Sequence, residues 1–199
     1  FATNLGASLE LNESIIKDGL FKGWDYCYLE GYLIANRSLF KKVIDTAKSN
    51  GCKVVLDLAS FNVVEDNRDF LNELMPQIDI VFANEEEAKA LTQKSAEESL
   101  HEIAENVEIA IVKIGKKGSL IKRGEEVVTI GCNKVDVVDT TGAGDMYAAG
   151  FLYGLINGFD LKKCGTIGNL LAESIIQVIG AKMDENRWKL FKKNIGLFN

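Results

Sequence analysis

The sequence predicts an α/β fold: a mainly parallel sheet between helices. Three observations carry that prediction. Short β-rich runs alternate with helical stretches, and repeated β-α-β units imply parallel strands covered on both faces. Apolar residues make up 47% and charged residues 26% of the 199 residues, a balance that excludes a disordered chain. Proline occurs once, at Pro76, which excludes a Pro-rich linker. The length therefore points to one domain, or one plus an appendage.

The elements follow in order. Phe1 to Ala7 reads as the middle of a strand rather than a natural beginning. Asp25 to Leu29 is a short strand. Ser38 to Ser49 is a helix with Leu39, Val43, Ile44 and Ala47 on one face, stopped at Gly51. Lys53 to Leu58 is a β-branched apolar run, hence a buried strand. A helix through Phe70, Leu71 and Leu74 ends at Pro76. Ile78 to Phe82 is the next strand. Asn84 opens a helix through Glu87, Ala88 and Leu91, and Ser95 to Glu98 spells a capping box for another. Ile109 to Ile114 is again a buried strand. Ser119 to Lys122 and Val127 to Ile130 form a hairpin turning at Arg123-Gly124-Glu125. Val135 to Val138 is one more short strand. Helices then span Gly142 to Ile156, Leu161 to Ile179 and Glu185 to Lys193. Ligands of parallel sheets sit at the carboxyl ends of the strands, so chemistry is sought just after Leu58, Phe82, Ile114 and Val138.

Charge and cysteine usage narrow the class. Lys and Arg total 23 against 29 Asp and Glu, a net charge of −6 with no basic run. That weighs against nucleic acid and anionic membranes as partners. No apolar stretch approaches the ~20 residues that span a bilayer. Cys27, Cys52, Cys132 and Cys164 form no C-x-x-C pair, which argues against zinc and reads as mostly half-buried, reduced thiols of a cytoplasmic protein. The sequons at Asn12 and Asn36 are read as chance matches. The single His101 lies on a Glu-rich helix and reads as a solvated residue; nothing resembles a Ser-His-Asp or Cys-His arrangement.

The strongest segment is Asp139-Thr140-Thr141-Gly142-Ala143-Gly144-Asp145, joining a strand to a helix. Small residues at a helix start leave backbone N–H groups unpaired and unshielded, an anion hole suited to a phosphoryl group. Asp145 lies in the first helical turn, where a carboxylate can accept the proton of an alcohol attacking phosphorus. The competing explanation is a glycine-rich turn that packs a helix closely on a sheet, with Asp145 complementing the dipole. The Lys-Ser/Thr ending of a Walker loop is absent, and Tyr147 stands in the place of a third Rossmann glycine, which leaves little room for a dinucleotide-dependent oxidoreductase.

The string D-T-T-G-A-G-D-M-Y-A-A-G-F resembles the C-terminal motif of the PfkB/ribokinase family of sugar and nucleoside kinases. The resemblance implies a ribokinase-like fold, with Asp145 as catalytic base and Gly142, Ala143 and Gly144 as the anion hole. Asp139 and Thr141 then match positions that hold a monovalent cation such as K⁺. Asn84-Glu85-Glu86-Glu87 matches the family's N-x-x-E motif, which implies that Asn84 and Glu87 organise Mg²⁺, largely through water. By itself that segment is also ordinary helix-start chemistry. Lys113-Ile114-Gly115-Lys116-Lys117-Gly118 resembles the G-x-x-G turn of the nucleotide site. Lys113, Gly115 and Gly118 would bind ATP there; alone they read as a tight turn with solvated lysines. Asn169 matches a position approaching adenine, and Gly180 one near the cation loop; otherwise they are a polar helix residue and a C-cap. Glu30 matches a sugar-contacting position, and Asp57 can join the Mg²⁺–water network; each is equally a surface or loop-capping acid.

Spacing in the C-terminal part is similar to the adenosine-kinase branch. The resemblance covers the C-terminal portion of the family, the ATP-binding and catalytic half. It implies that the N-terminal strands, the G-G-x-x-x-N segment and the β-lid over the sugar are missing from residues 1–199. Such a chain is expected to turn over poorly alone and to associate, either with itself or with the missing N-terminal portion. The expected reaction is transfer of the ATP γ-phosphoryl group to a primary hydroxyl of a sugar or nucleoside. The alternative is a nucleotide-binding module, or inactive fragment, that no longer catalyses.

Overall fold

The computed structural model describes residues 6–196. Six strands are ordered β1-β2-β3-β4-β5-β6 in one sheet: Tyr26–Glu30, Lys53–Asp57, Ile80–Asn84, Ile109–Lys113, Ser119–Arg123 and Glu126–Ile130. The pairs β1–β2 and β2–β3 are parallel. Seven α-helices lie among the described residues: α1 (Arg37–Ser49), α2 (Phe61–Leu74), α3 (Glu85–Thr92), α4 (Ala96–Ile103), α5 (Ala143–Ile156), α6 (Leu161–Ile175) and α7 (Glu185–Asn194). Contacts divide the chain into two compact units, Phe1–Val112 with Lys122–Glu125, and Lys113–Ile121 with Glu126–Asn199. No helix among the described residues is long and apolar enough to cross a membrane.

In the first unit the apolar runs predicted as strands are buried on both faces. Val54, Val55 and Leu56 of β2, and Ile80, Val81 and Phe82 of β3, are all inaccessible, as parallel strands under helices must be. Leu39, Phe40, Val43 and Ile44 supply the buried face of α1. Asp79 ties these layers together: its carboxylate accepts from the Val54 amide at 2.6 Å and from the Lys48 ammonium at 2.8 Å. The register sets Glu30 beside Asp57 and Asp57 beside Phe82, so the carboxyl ends of β1, β2 and β3 form one row. Asn36, the second sequon, is occupied as the N-cap of α1, accepting from the Leu39 amide at 3.1 Å.

In the second unit α5 and α6 pack closely. A methyl group on Gly150 would lie 2.8 Å from the Ile167 carbonyl oxygen, and one on Gly168 would lie 2.9 Å from that of Tyr147. The small residues of α5 therefore serve helix contact as well as its N-terminus. Ile167, Leu171, Ile175, Met183 and Phe191 form the core here.

Several expectations are corrected. Val135 to Val138 is not a strand. The Val138 and Asp139 amides both donate to the Ile176 carbonyl, at 2.8 and 3.2 Å, and Val137 and Val138 are 61% and 57% exposed. The β-branched pattern is met by a loop hung from the end of α6. That helix stops at Ile175 rather than Ile179, because the carbonyl of Ile176 is used by this loop. Three of the four cysteines are fully rather than half buried, and burial raises the Cys27 thiol to about 11. The strand read over Phe1 to Ala7 lies outside the described residues up to Leu5; Gly6 and Ala7 open a 3-10 helix, Gly6–Glu10.

Gly118 is the tightest backbone position. Its φ is +103°, and a methyl group there would stand 1.8 Å from the Ile130 carbonyl oxygen. Gly118→Ala should lower stability by at least the ~1–3 kcal/mol of a strained backbone, read as a fall in denaturation midpoint. An unchanged midpoint would show that the turn relaxes without cost.

Candidate active site

The second unit builds the entry to α5 from three constraints. Gly142 caps the helix at φ +78°, a left-handed conformation, and a methyl group there would meet the Ala181 side chain at 2.9 Å. Asp139 fixes the loop before it. One carboxylate oxygen accepts from the Thr141 amide at 2.9 Å and the Thr141 hydroxyl at 2.7 Å, and the other accepts from the Gly180 amide at 2.8 Å. These bonds hold the Asp139 carboxyl below its ordinary range, the Thr141 amide contributing most. Finally, the Ala143 amide closes a turn onto the Thr140 carbonyl at 3.2 Å, and the Met146 amide bonds back to Gly142 at 2.9 Å.

The amides of Gly142, Gly144 and Asp145 are left without an acceptor among the described residues. Of the three small residues expected to form the anion hole, Ala143 thus spends its N–H within the turn, and Asp145 adds one. The Asp145 side chain is exposed in the first turn of α5. Lys113, at the end of β4, brings its ammonium nitrogen within 3.3 Å of the position a methyl group on Gly144 would take. Amides, dipole, carboxylate and ammonium converge on one helix start. Such a site can receive a phosphoryl group and take a proton beside it.

The segment leading to this loop hangs from α6. The Asn169 side-chain amide donates to the Gly131 carbonyl at 3.0 Å. One turn later Glu173, only 7% exposed, accepts from the Asn133 amide at 2.6 Å and its side chain at 2.9 Å. Glu173 was not among the residues singled out by sequence. An acid on the buried face of an apolar helix, one turn from Asn169, was the available signal. The G-x-x-G turn is the 3-10 turn Gly115–Lys117 closed by Gly118, and the Cys132 thiol points at the Gly115 carbonyl at 3.7 Å.

The first unit holds the remaining predicted residues at its strand ends. Asn84 and Glu87 form a reciprocal capping box. The Glu87 carboxylate accepts from the Asn84 amide at 2.8 Å and side chain at 2.7 Å, and the Glu87 amide donates to the Asn84 side chain at 2.9 Å. Glu87 is 4% exposed. Among the described residues no three acids, histidines or cysteines cluster as a direct metal shell. One carboxylate and one amide fit a magnesium ion held through its water, not one stripped of it. Glu30 and Asp57 are register neighbours. Asp57 is buried and accepts from the Ala59 amide at 3.1 Å and the Tyr28 hydroxyl at 3.4 Å.

Known proteins resemble this chain in sequence and in fold. The sequence pattern of the pfkB family carbohydrate kinases matches residues 1–187. An ATP-dependent 6-phosphofructokinase of Thermoanaerobacterium thermosaccharolyticum is 30% identical over 155 residues, 75% of this chain and 48% of that protein. The crystal structure of adenosine kinase from Sinorhizobium meliloti superimposes with a TM-score of 0.87 at 33% identity, over 94% of this chain and 59% of that one. A fructokinase double mutant from Vibrio cholerae, with fructose, ADP and potassium ion bound, gives 0.76 at 25% identity, over 86% and 59%. The chain spans about half the length of the curated relatives it matches.

Two outcomes follow from the loop geometry. Glu173→Ala removes the buried carboxylate that accepts two hydrogen bonds from Asn133 and should cost ~1–3 kcal/mol of stability, read by denaturant unfolding; a neutral change would remove Glu173 from the support of the loop. Because the folded Asp139 carboxyl titrates below its ordinary 3.8, its stabilising contribution is complete above that value. It is lost as pH falls through the lowered folded value. Asp139→Asn should flatten the acid limb of the melting-temperature profile below about pH 4; an unchanged limb would contradict the assignment.

Proposed function

The chain belongs to the pfkB family of carbohydrate kinases, and from that premise we propose that it transfers the γ-phosphoryl group of ATP to a primary hydroxyl of a sugar or nucleoside. Residues 1–199 are then the nucleotide-binding and catalytic half of such a kinase domain. The observation that carries this reading is the start of α5, where open amides of Gly142, Gly144 and Asp145 stand beside the Asp145 carboxylate.

Phosphoryl transfer needs positioning and charge neutralisation more than covalent help. The amides at the helix start receive the equatorial oxygens of the moving group, with the dipole of α5 behind them. Asp145 orients the acceptor hydroxyl and takes its proton. A carboxylate is too weak a base to deprotonate a free alcohol outright, so the proton moves late, as bond formation to phosphorus acidifies the hydroxyl. Lys113, Gly115, Gly118 and Asn169 are the nucleotide-binding set, and Glu30 a contact to the acceptor. Asn84 and Glu87 would hold a magnesium ion through its hydration shell, and the ion would supply neutralisation of phosphate charge. Asp139 and Thr141, rigid through their mutual hydrogen bonds, are the side chains for a monovalent cation that strengthens the loop. The adenosine kinase and the fructokinase above support both a nucleoside and a sugar as acceptor class. The free cysteines support a cytoplasmic location.

Asp145→Asn tests the reading. It keeps the shape of the side chain but removes the base, so kcat should fall by ~10²–10⁴-fold while ATP affinity stays nearly constant, because the anion hole is made of backbone. If Asp145 only complements the helix dipole, the change costs ~0.3–1 kcal/mol of stability and spares turnover. A variant that melts slightly lower yet phosphorylates its acceptor at the normal rate would overturn the proposal.

A further inference from the structure

The Tyr147 hydroxyl donates to the Ser119 hydroxyl at 2.7 Å, and both residues are buried. Packing alone does not call for this bond. The Tyr147 ring stacks on that of Phe151 with centroids 6.4 Å apart, and a methyl group on Gly168 would stand 3.2 Å from the ring carbons. A phenylalanine ring would fill the same slot. A hydroxyl taken out of water costs free energy unless a partner meets it, and exchanging both partners of a buried bond for apolar groups is typically near neutral. What the two hydroxyls add is direction. Burial raises the Tyr147 phenol, although the bond to Ser119 lowers it, so the group stays a donor at neutral pH.

The bond spans 28 positions and joins two parts of the site. Ser119 follows Gly118, which closes the Gly115–Lys117 turn and whose carbonyl accepts from the Ile114 amide at 2.8 Å. Tyr147 lies two residues beyond Asp145 in α5. At roughly 100° per residue the two side chains leave the helix on opposite sides, Tyr147 buried and Asp145 exposed. The bond therefore pins the side of α5 that faces away from Asp145, and so sets where that carboxylate points.

We propose that Tyr147 and Ser119 are positioning residues that lock the G-x-x-G turn to α5, so that a nucleotide on the turn and the Asp145 carboxylate share one frame. The role rests on the phosphotransfer reading above, and both residues act through Asp145. Phosphoryl transfer depends on alignment of the acceptor hydroxyl with phosphorus. Without the bond, α5 is free to rotate or slide slightly against the turn while the fold stands.

In the whole protein with MgATP, and with adenosine and fructose as acceptors, Tyr147→Phe should lower kcat about ten- to hundredfold, as expected of a misplaced catalytic group. The KM values should change little. Ser119→Ala breaks the same bond from the other side and should do the same. The double variant should melt closer to the unaltered protein than the less stable single variant, yet turn over as slowly. In an Asp145→Asn background, Tyr147→Phe should cost almost nothing further, because the group it aims is already gone. Normal kcat in both single variants, kcat that returns together with stability in the double variant, or an undiminished loss in the Asp145→Asn background would overturn the assignment while leaving phosphotransfer standing. Normal turnover by Asp145→Asn itself would instead remove the phosphotransfer reading, and this inference with it.

Discussion

The site depends on the carboxylate of Asp139. It gathers the amide and hydroxyl of Thr141 and the amide of Gly180, residues far apart in sequence, onto two oxygens. With that clasp in place, the chain turns at Gly142, in a conformation that suits glycine, before α5 begins. The amides of Gly142, Gly144 and Asp145 then stay open because no acceptor among the described residues is folded onto them. Open amides at a helix start are costly unless water or an anion meets them, and an anion here would lie in the same helical turn as the Asp145 carboxylate. The open amides and the placement of Asp145 are therefore consequences of one local arrangement.

Helix α6 is the frame on which that arrangement is mounted. Asn169 holds Gly131, Glu173 holds Asn133, and the carbonyl of Ile176 holds Val138 and Asp139. The approach loop is thus fixed at three successive levels of one helix, by side chains where the helix is regular and by backbone where it ends. Close glycine contacts press α5 against α6, so the loop's two ends are carried by helices packed on one another. The apolar cluster around Leu171, Ile175 and Phe191 gives this frame its stiffness. Rigid support of this kind is what a site built from backbone donors requires, since backbone cannot repack around a misplaced ligand.

Much of this was legible in the sequence, because the relevant signals are local. The glycines of 142–144, the acid one turn in, and the capping boxes at Asn84 and Ser95 are read from spacing alone, and both boxes form. Buried parallel strands announce themselves as continuous apolar runs, as Val54 to Leu56 do. The misreading at Val135 to Val138 has a physical origin: β-branched residues favour extended backbone, but a strand also needs a neighbour, and here the amides find the end of a helix instead. The pairing of Glu173 with Asn133 spans 40 positions and carries no periodic signature. The approach of Lys113 to Gly144 is likewise tertiary; sequence placed both near a nucleotide but could not place one against the other.

The central claim is that the phosphate chain of a nucleotide sits on the start of α5. Backbone amide shifts of the isotopically labelled protein report it directly. Titration with MgATP is predicted to shift Gly142, Gly144 and Asp145 strongly, and titration with free adenine, which has neither a phosphate nor an acceptor hydroxyl, to leave those three unmoved. Shifts of equal size with adenine, or none at these amides when ATP is bound, would contradict the account.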